Sequence, residues 1–310
     1  MFAATENLPV QPPSLSTGNQ PSASYLLVDG VMLPKALATL WRVEGITEIV
    51  PIYQGTRWDS CKDLGPILAR IEPEMATPEE VLTHIPDWPN CASVLYSDAP
   101  SVALCGHLRS FIAPPTDNGV AALLRFGDPL VTRYWLGSYP EAQLNAVLGP
   151  IAAWHVPEPP HTWMSDEPSR WLSFTHASAQ TTACGTHRHL GQSQFDALDQ
   201  AWRWRFMEQL HAFLQQTYPR HLARLQSHTL TEWFDRRLDE ADQWGLASAR
   251  CQAIWVEYSL RWGEGFIQLR DSPYQHWLTA TPNAPQLSPE QRIEQMDADC
   301  LDIELAKEAL

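Results

Sequence analysis

Three sets of residues in this sequence could do chemistry. Asp29, His107 and Asp128 fall at or near the ends of strand-like runs, where groups on an α/β sheet edge can converge into an active site. In that arrangement His107 is a general base and Asp29 or Asp128 orients it. Each of these residues also has a structural explanation. Asp29 precedes Gly30 in a turn, which a short polar side chain favours. Asp128 precedes Pro129 as a helix N-cap and first-turn pair, a cap worth about 1 kcal/mol. His107 lies on a helix between Leu104 and Phe111 and so borders its buried face. No GxSxG nucleophile string accompanies these groups, and the reading is that the chain is not an enzyme and has no catalytic residue.

Arg109 and Arg125 are the second set. A guanidinium fork suits a carboxylate. That carboxylate is either a partner's, which makes both arginines partner contacts, or Asp29 or Asp128 of the same chain. The third set is Cys184, His187 and His189 in CGTHRH, with His176 nearby in sequence. Zinc sites pair ligands on both sides of a loop, and a second pair is missing, so no metal is expected. The chain has no GxxxxGK[ST] or GxGxxG string and no cofactor is expected.

Alternating apolar runs and helical periodicities supply the elements that would position these residues. Residues 1–23 are rich in Pro, Ser, Thr, Gln and Asn and read as a disordered tail. Strands are predicted at Tyr25–Val28, Ile49–Tyr53, Ala92–Tyr96 and Ala121–Phe126, with Pro51 marking an edge or a strand end. Between them lie a helical stretch carrying Leu33, Ala36, Leu37, Leu40 and Trp41, a helix opened by the Thr77–Glu80 capping box, and a helix placing Leu104, Leu108 and Phe111 on one face. The alternation predicts an α/β domain over 24–154, a mixed sheet flanked by helices. A Pro-rich linker, 155–191, follows, with a short strand possible at Trp171–Phe174. An all-α lobe over 192–310 completes the chain. Its first helix carries Phe195, Leu198, Trp202, Phe206, Leu210 and Phe213 and stops at Pro219. Capping boxes at Thr229–Glu232 and Ser288–Gln291 open later helices, and Gly245 and Gly263 close two of them.

The formal net charge is -15, which repels phosphate backbones and anionic lipid, so no nucleic acid and no membrane insertion are expected. The six Cys are scattered without a CxxC pair, and no basic-then-apolar leader is seen. Both features fit the cytoplasm. Fourteen Trp favour a binding protein, since indoles are enriched at interface hot spots.

Several strings carry a family resemblance. YLLVDG at Tyr25, YQGT at Tyr53, LGPIL at Leu64, HLRSF at His107, LLRFGDPLV at Leu123 and LGPI at Leu148 occur in the order found in the DUF4123 family, and the Tyr25–Ile151 region resembles that family. By this resemblance Asp29, Gly30, Tyr53, Gly55, Gly65, Pro66, His107, Asp128 and Pro129 are its structural motif positions. Gly127 departs from an aromatic usual there, and Leu130 from a frequent Arg. The resemblance implies a bacterial cytoplasmic adaptor and chaperone, monomeric before binding. Such an adaptor binds the N-terminal region of a toxic effector and loads it onto the spike protein of a type VI secretion system. Two other classes stay open: a small-molecule α/β enzyme using His107 with Asp29 or Asp128, and a toxin-binding immunity or scaffold protein. On the helical wheel Trp202 and Phe206 continue the core stripe and Trp204 falls opposite. That makes Trp204 the candidate partner anchor in the helical lobe.

Overall fold

The computed structural model describes residues 23–117, 119, 121–164, 170–175 and 189–308, with side chains to 302. The expected tail lies outside these residues except for Ala23, which opens the first strand. The chain divides into two compact units, Met1–Pro160 with Ser165–Arg203, and His161–Met164 with Trp204–Leu310.

The first unit is built on a sheet of β1 (Ala23–Asp29), β2 (Ile46–Pro51), β3 (Pro66–Ile71), β4 (Ala92–Ser97), β5 (Ala153–Glu158) and β6 (Arg170–Thr175), in the order β2-β3-β1-β4-β5-β6. Every pairing is antiparallel, which corrects the expectation of a mixed sheet. Unbroken apolar runs such as Tyr25–Val28 report that both faces of a strand are covered. They do not report its direction. On one face, Tyr25, Leu27, Leu68, Leu95 and Trp154 pack with α4 (Ser101–Arg109), α5 (Pro129–Gly137) and α6 (Glu141–Leu148) through Leu104, Leu108, Trp135 and Leu148. On the other, Leu26, Val28, Ile67, Ala69 and Val94 pack with α1 (Ala36–Leu40), α2 (Pro78–Thr83) and α3 (Trp88–Cys91).

Local signals explain the element ends. The Thr77 hydroxyl accepts from Glu80 N, and the Glu80 carboxylate accepts from Thr77 N, the expected capping box. Pro51 is the last residue of β2, and β2 is an edge strand. Ala121–Phe126 is not a strand. It makes one isolated bridge, Pro115 with Ala121, and its alternation serves to bury Leu124 and Phe126 in the core. The stretch expected as a linker holds most of β5 and all of β6, which pair from Ala153–Thr175 to Glu158–Arg170. Pro157 is tolerated in β5 because β4 pairs only as far as His155, so no β4 partner lies opposite the missing N–H.

The second unit contains the end of α7 (Gln192–Thr217), then α8 (Pro219–Leu222), α9 (Ser227–Trp244), α10 (Ala249–Trp262), α11 (Pro273–Ala280) and α12 (Pro289–Glu308). α9 starts two residues before the predicted box. Thr229 Oγ1 donates to the Gln226 carbonyl, so the Thr229–Glu232 box does not form. The Ser288–Gln291 box does form, with Ser288 Oγ accepting from Gln291 N and Gln291 Oε1 accepting from Ser288 N. Gly245 ends α9 in the left-handed region, φ 96°, where glycine carries no Cβ penalty. α11 escaped the periodicity reading because it is short. Its signal was the Ser272–Pro273 pair, and Ser272 caps it by accepting from Gln275 N.

His155 is a buried titratable group in the sheet. It is 1% exposed and stands next to Trp154 on the opposite face of β5. Its Nδ1 lies 2.8 Å from Ser173 Oγ, its Nε2 is buried without a hydrogen-bond partner, and Tyr96 meets its ring edge-on. Burial pushes its pKa down from 6.5 to about 4. Below about pH 6.5 the unfolded chain therefore takes up a proton that the folded chain refuses. Stability falls as pH falls and is lowered by about 3 kcal/mol once pH drops below the folded value. Urea unfolding at about pH 7, 6 and 5 should show this decline. His155→Leu should flatten it, whereas an unchanged slope in the variant would assign the decline to other groups.

Candidate functional site

Most of the motif residues gather at the end of β1. The strand stops at Asp29 because its Oδ1 accepts from the backbone N–H groups of Val31 and Met32, both at 2.9 Å, which turns the chain. Arg125 Nη2 donates to the same oxygen at 2.9 Å and lies 3.5 Å from Asp128 Oδ2. Asp128 in turn caps α5, its Oδ1 accepting from Leu130 N at 3.1 Å, with Pro129 as the first helical residue. Asp29 and Asp128 are 2% and 0% exposed, so a single guanidinium is shared by two buried carboxylates. Burial raises the Asp29 pKa. The attraction of Arg125 and the hydrogen bond from Met32 N oppose the rise, and repulsion by Asp128 adds to it.

The glycines let neighbouring backbone come close. Gly30 N donates to the Gly65 carbonyl at 3.0 Å, and a Cβ on Gly30 would stand 2.2 Å from the Asp63 carbonyl oxygen. A Cβ on Gly65 would meet the Tyr53 ring at 2.5 Å. Pro66 opens β3, and its carbonyl accepts from Ile52 N at 2.8 Å. Gly127 sits on Pro66: a Cβ there would be 3.0 Å from Pro66 Cβ, so the aromatic usual at this position would need its neighbours to move. Gly55 adopts φ 72° in the turn after β2, where its N–H donates to Asp59 Oδ1.

His107 and Arg109 are engaged elsewhere on α4. His107 Nε2 lies 3.0 Å from the Val147 carbonyl, which requires the proton on that nitrogen and ties α4 to α6. Arg109 donates through Nε to the Ile52 carbonyl and through Nη2 to the Gln54 carbonyl, both at 3.1 Å. It thus fixes the turn after β2 and binds neither aspartate. The sequence grouped His107, Asp29 and Asp128 as one constellation; the fold joins Asp29 and Asp128 through Arg125 and occupies the described ring nitrogen of His107 with a backbone carbonyl. Sequence reading missed Arg57 and Trp58. They line an open groove of about 380 Å³ with Ala121 and Leu123, the Arg57 guanidinium lying 5.2 Å from the Trp58 ring centroid. Its apolar lining can hold an apolar side chain, and its one cation an acidic one.

Residues 24–146 match the model of a family described as "Domain of unknown function (DUF4123)". This stretch is a DUF4123 domain. No curated protein and no solved structure matches the chain. The matched stretch includes the whole Asp29–Arg125–Asp128 arrangement. β5 and β6, which complete the sheet of the first unit, lie beyond it.

Of the metal-like cluster, Cys184, His187 and His176 lie outside the described residues. His189 is described and pairs through Nε2 with Asp117.

The helical unit departs from its sequence reading at Trp204. Trp202, assigned to the core stripe, is 50% exposed. Trp204, assigned to the polar face, is half-buried and stacks on the His161 ring at 4.7 Å and 16°. Trp163 covers the other face of that ring at 4.2 Å and 8°. The Glu208 carboxylate accepts from His161 Nδ1 at 2.7 Å, from Thr162 N at 3.1 Å and from Thr162 Oγ1 at 2.8 Å. Burial pushes the Glu208 pKa up, but the hydrogen bonds from His161 and Thr162 and the attraction to His161 outweigh it and leave the group below its usual range.

Two substitutions test whether the DUF4123 motif is architecture. Asp128→Ala removes the α5 cap and should lower the unfolding free energy by about 1 kcal/mol. Gly30→Ala drives a methyl into a backbone carbonyl and should cost about 2 kcal/mol or more. Chemical denaturation of both variants measures this, and unchanged midpoints would overturn the structural role of Asp128 and Gly30.

Proposed function

We propose that this protein is an adaptor that binds a toxic effector in the bacterial cytoplasm and loads it onto the spike protein of a type VI secretion system. The observation that carries the reading is the match of residues 24–146 to the DUF4123 family. The motif's charged residues are engaged within the chain. Arg125 is held by Asp29 and Asp128, Asp128 is a helix cap, and Arg109 is bound to backbone carbonyls. Groups committed in this way support a rigid binding scaffold better than a reaction centre, whose acid and base need access to a substrate. This same commitment argues against Arg109 and Arg125 as partner contacts and moves the expected contact to apolar surface. The groove at Trp58 and Leu123 provides such surface, with Leu123 49% exposed. No specific observation favours the enzyme or immunity-protein alternatives.

A chaperone covers apolar surface that its client exposes when alone. The N-terminal region of the cognate effector should therefore be insoluble or short-lived when expressed alone, and soluble and co-purifying when expressed with this chain. Co-expression followed by affinity capture and mass spectrometry reads both. An effector that is equally soluble alone and fails to co-purify would refute the proposal.

A further inference from the structure

The His161–Met164 segment is held by the helical unit in the manner of a bound peptide. It belongs to that unit, while the chain to Pro160 and the strand β6 beyond it belong to the first. Each of its residues contacts the helices. His161 stacks on Trp204 and hydrogen-bonds to Glu208. Thr162 gives both its N–H and its hydroxyl to Glu208. Trp163 enters the core formed by Phe206, Leu210, Trp233 and Phe234, and its Nε1 donates to Thr231 Oγ1 at 3.1 Å. Met164 Sδ accepts from the Thr231 hydroxyl at 3.6 Å. The described polar ties from segment to helices all end on helix side chains, so no helix or sheet ladder is interrupted when the segment leaves. The two residues between β5 and the segment are Pro159 and Pro160, whose fixed φ lowers the entropy lost when a short motif binds.

We infer that this groove between α7 and α9 is a recognition site for a short peptide folded as a single helical turn, as His161–Met164 is, one that buries an indole and presents hydrogen-bond donors to Glu208. The chain's own His161–Met164 occupies it in cis, and a cargo segment of the same chemistry takes its place. Only the identity of that occupant rests on the adaptor reading; the site itself does not. A tethered occupant has a high effective concentration, so the native chain excludes a free peptide until the strap is weakened.

The probe is a dye-labelled peptide of residues 157–164, Pro-Glu-Pro-Pro-His-Thr-Trp-Met, titrated by fluorescence anisotropy into full-length protein. Trp163→Ala should bind it at least about tenfold more tightly than the native chain, a difference of ~1.4 kcal/mol, and the peptide should raise the variant's melting temperature. Adding Glu208→Ala to that variant should abolish binding. If Trp163→Ala does not fold, the double variant His161→Ala/Thr162→Ala decides, because it keeps the indole and removes the anchoring donors. Folded, strap-weakened protein that binds no peptide overturns the inference and leaves the segment a permanent staple. The N-terminal fragment of the effector should compete with the peptide. Peptide binding without that competition overturns cargo as the occupant, while the adaptor reading is judged separately by co-purification.

Discussion

The shared guanidinium of Arg125 is the interaction on which the first unit depends. β1 lies near the middle of the sheet and ends at Asp29, whose buried carboxylate makes the turn that follows. α5 begins at Asp128, also buried. Two buried carboxylates this close repel each other, and each loses hydration. Arg125 compensates both and is itself one-third exposed, so its own desolvation is incomplete. The pairing fixes where β1 stops relative to where α5 starts. At the same joint Gly30 lies against the Asp63 and Gly65 backbone, too close for any side chain. The motif is therefore read most simply as one sheet-to-helix joint, distributed over strings that are far apart in sequence.

The sequence disclosed the members of this joint but not their partners. Asp29 and Asp128 were recognisable as turn and cap from the residues that follow them, since those signals are local. The choice of Arg125 over Arg109 as their partner depends on tertiary placement and has no local signal. Strand direction was equally hidden, because burial on both faces erases the alternation that marks a one-sided sheet. β6 left a faint trace at Trp171–Phe174. Its pairing with β5 could not be read through the proline-rich run between them, which carries no periodicity.

The exchange of Trp202 and Trp204 has a different cause. A helical wheel assumes one core per helix. α7 serves two: Phe195 and Leu198 pack on the core of the first unit, and Phe206, Met207, Leu210 and Leu214 belong to a core of the second, with the division at Arg203 and Trp204. A stripe extended across that division points to the wrong residue. The same helix also needs a partner for Trp204, and it is supplied by His161, in a stretch whose sequence reads only as a linker.

Acidic residues in the second unit show how a chain of net charge -15 can still build aromatic cores. α12 looks in sequence like a solvated charged helix. In the fold Asp297 accepts from the Tyr258 hydroxyl and Asp299 from Trp277 Nε1, while Glu290 accepts from the N–H groups of Ala247 and Ser248 ahead of α10. Glu208 does the same for His161 and Thr162. Asp297, Asp299 and Glu208 satisfy the polar edges of Tyr258, Trp277 and His161, whose rings are buried, which is what a Trp- and Tyr-rich interior requires. The two units therefore use acids differently. In the first, Asp29 and Asp128 lock onto a cation and onto backbone that cannot move apart without stranding a buried charge. In the second, Glu208 satisfies donors on a four-residue segment, and water or another peptide can satisfy that carboxylate in its place. The rigid joint and the exchangeable contact are thus separated by chemistry as well as by position in the chain.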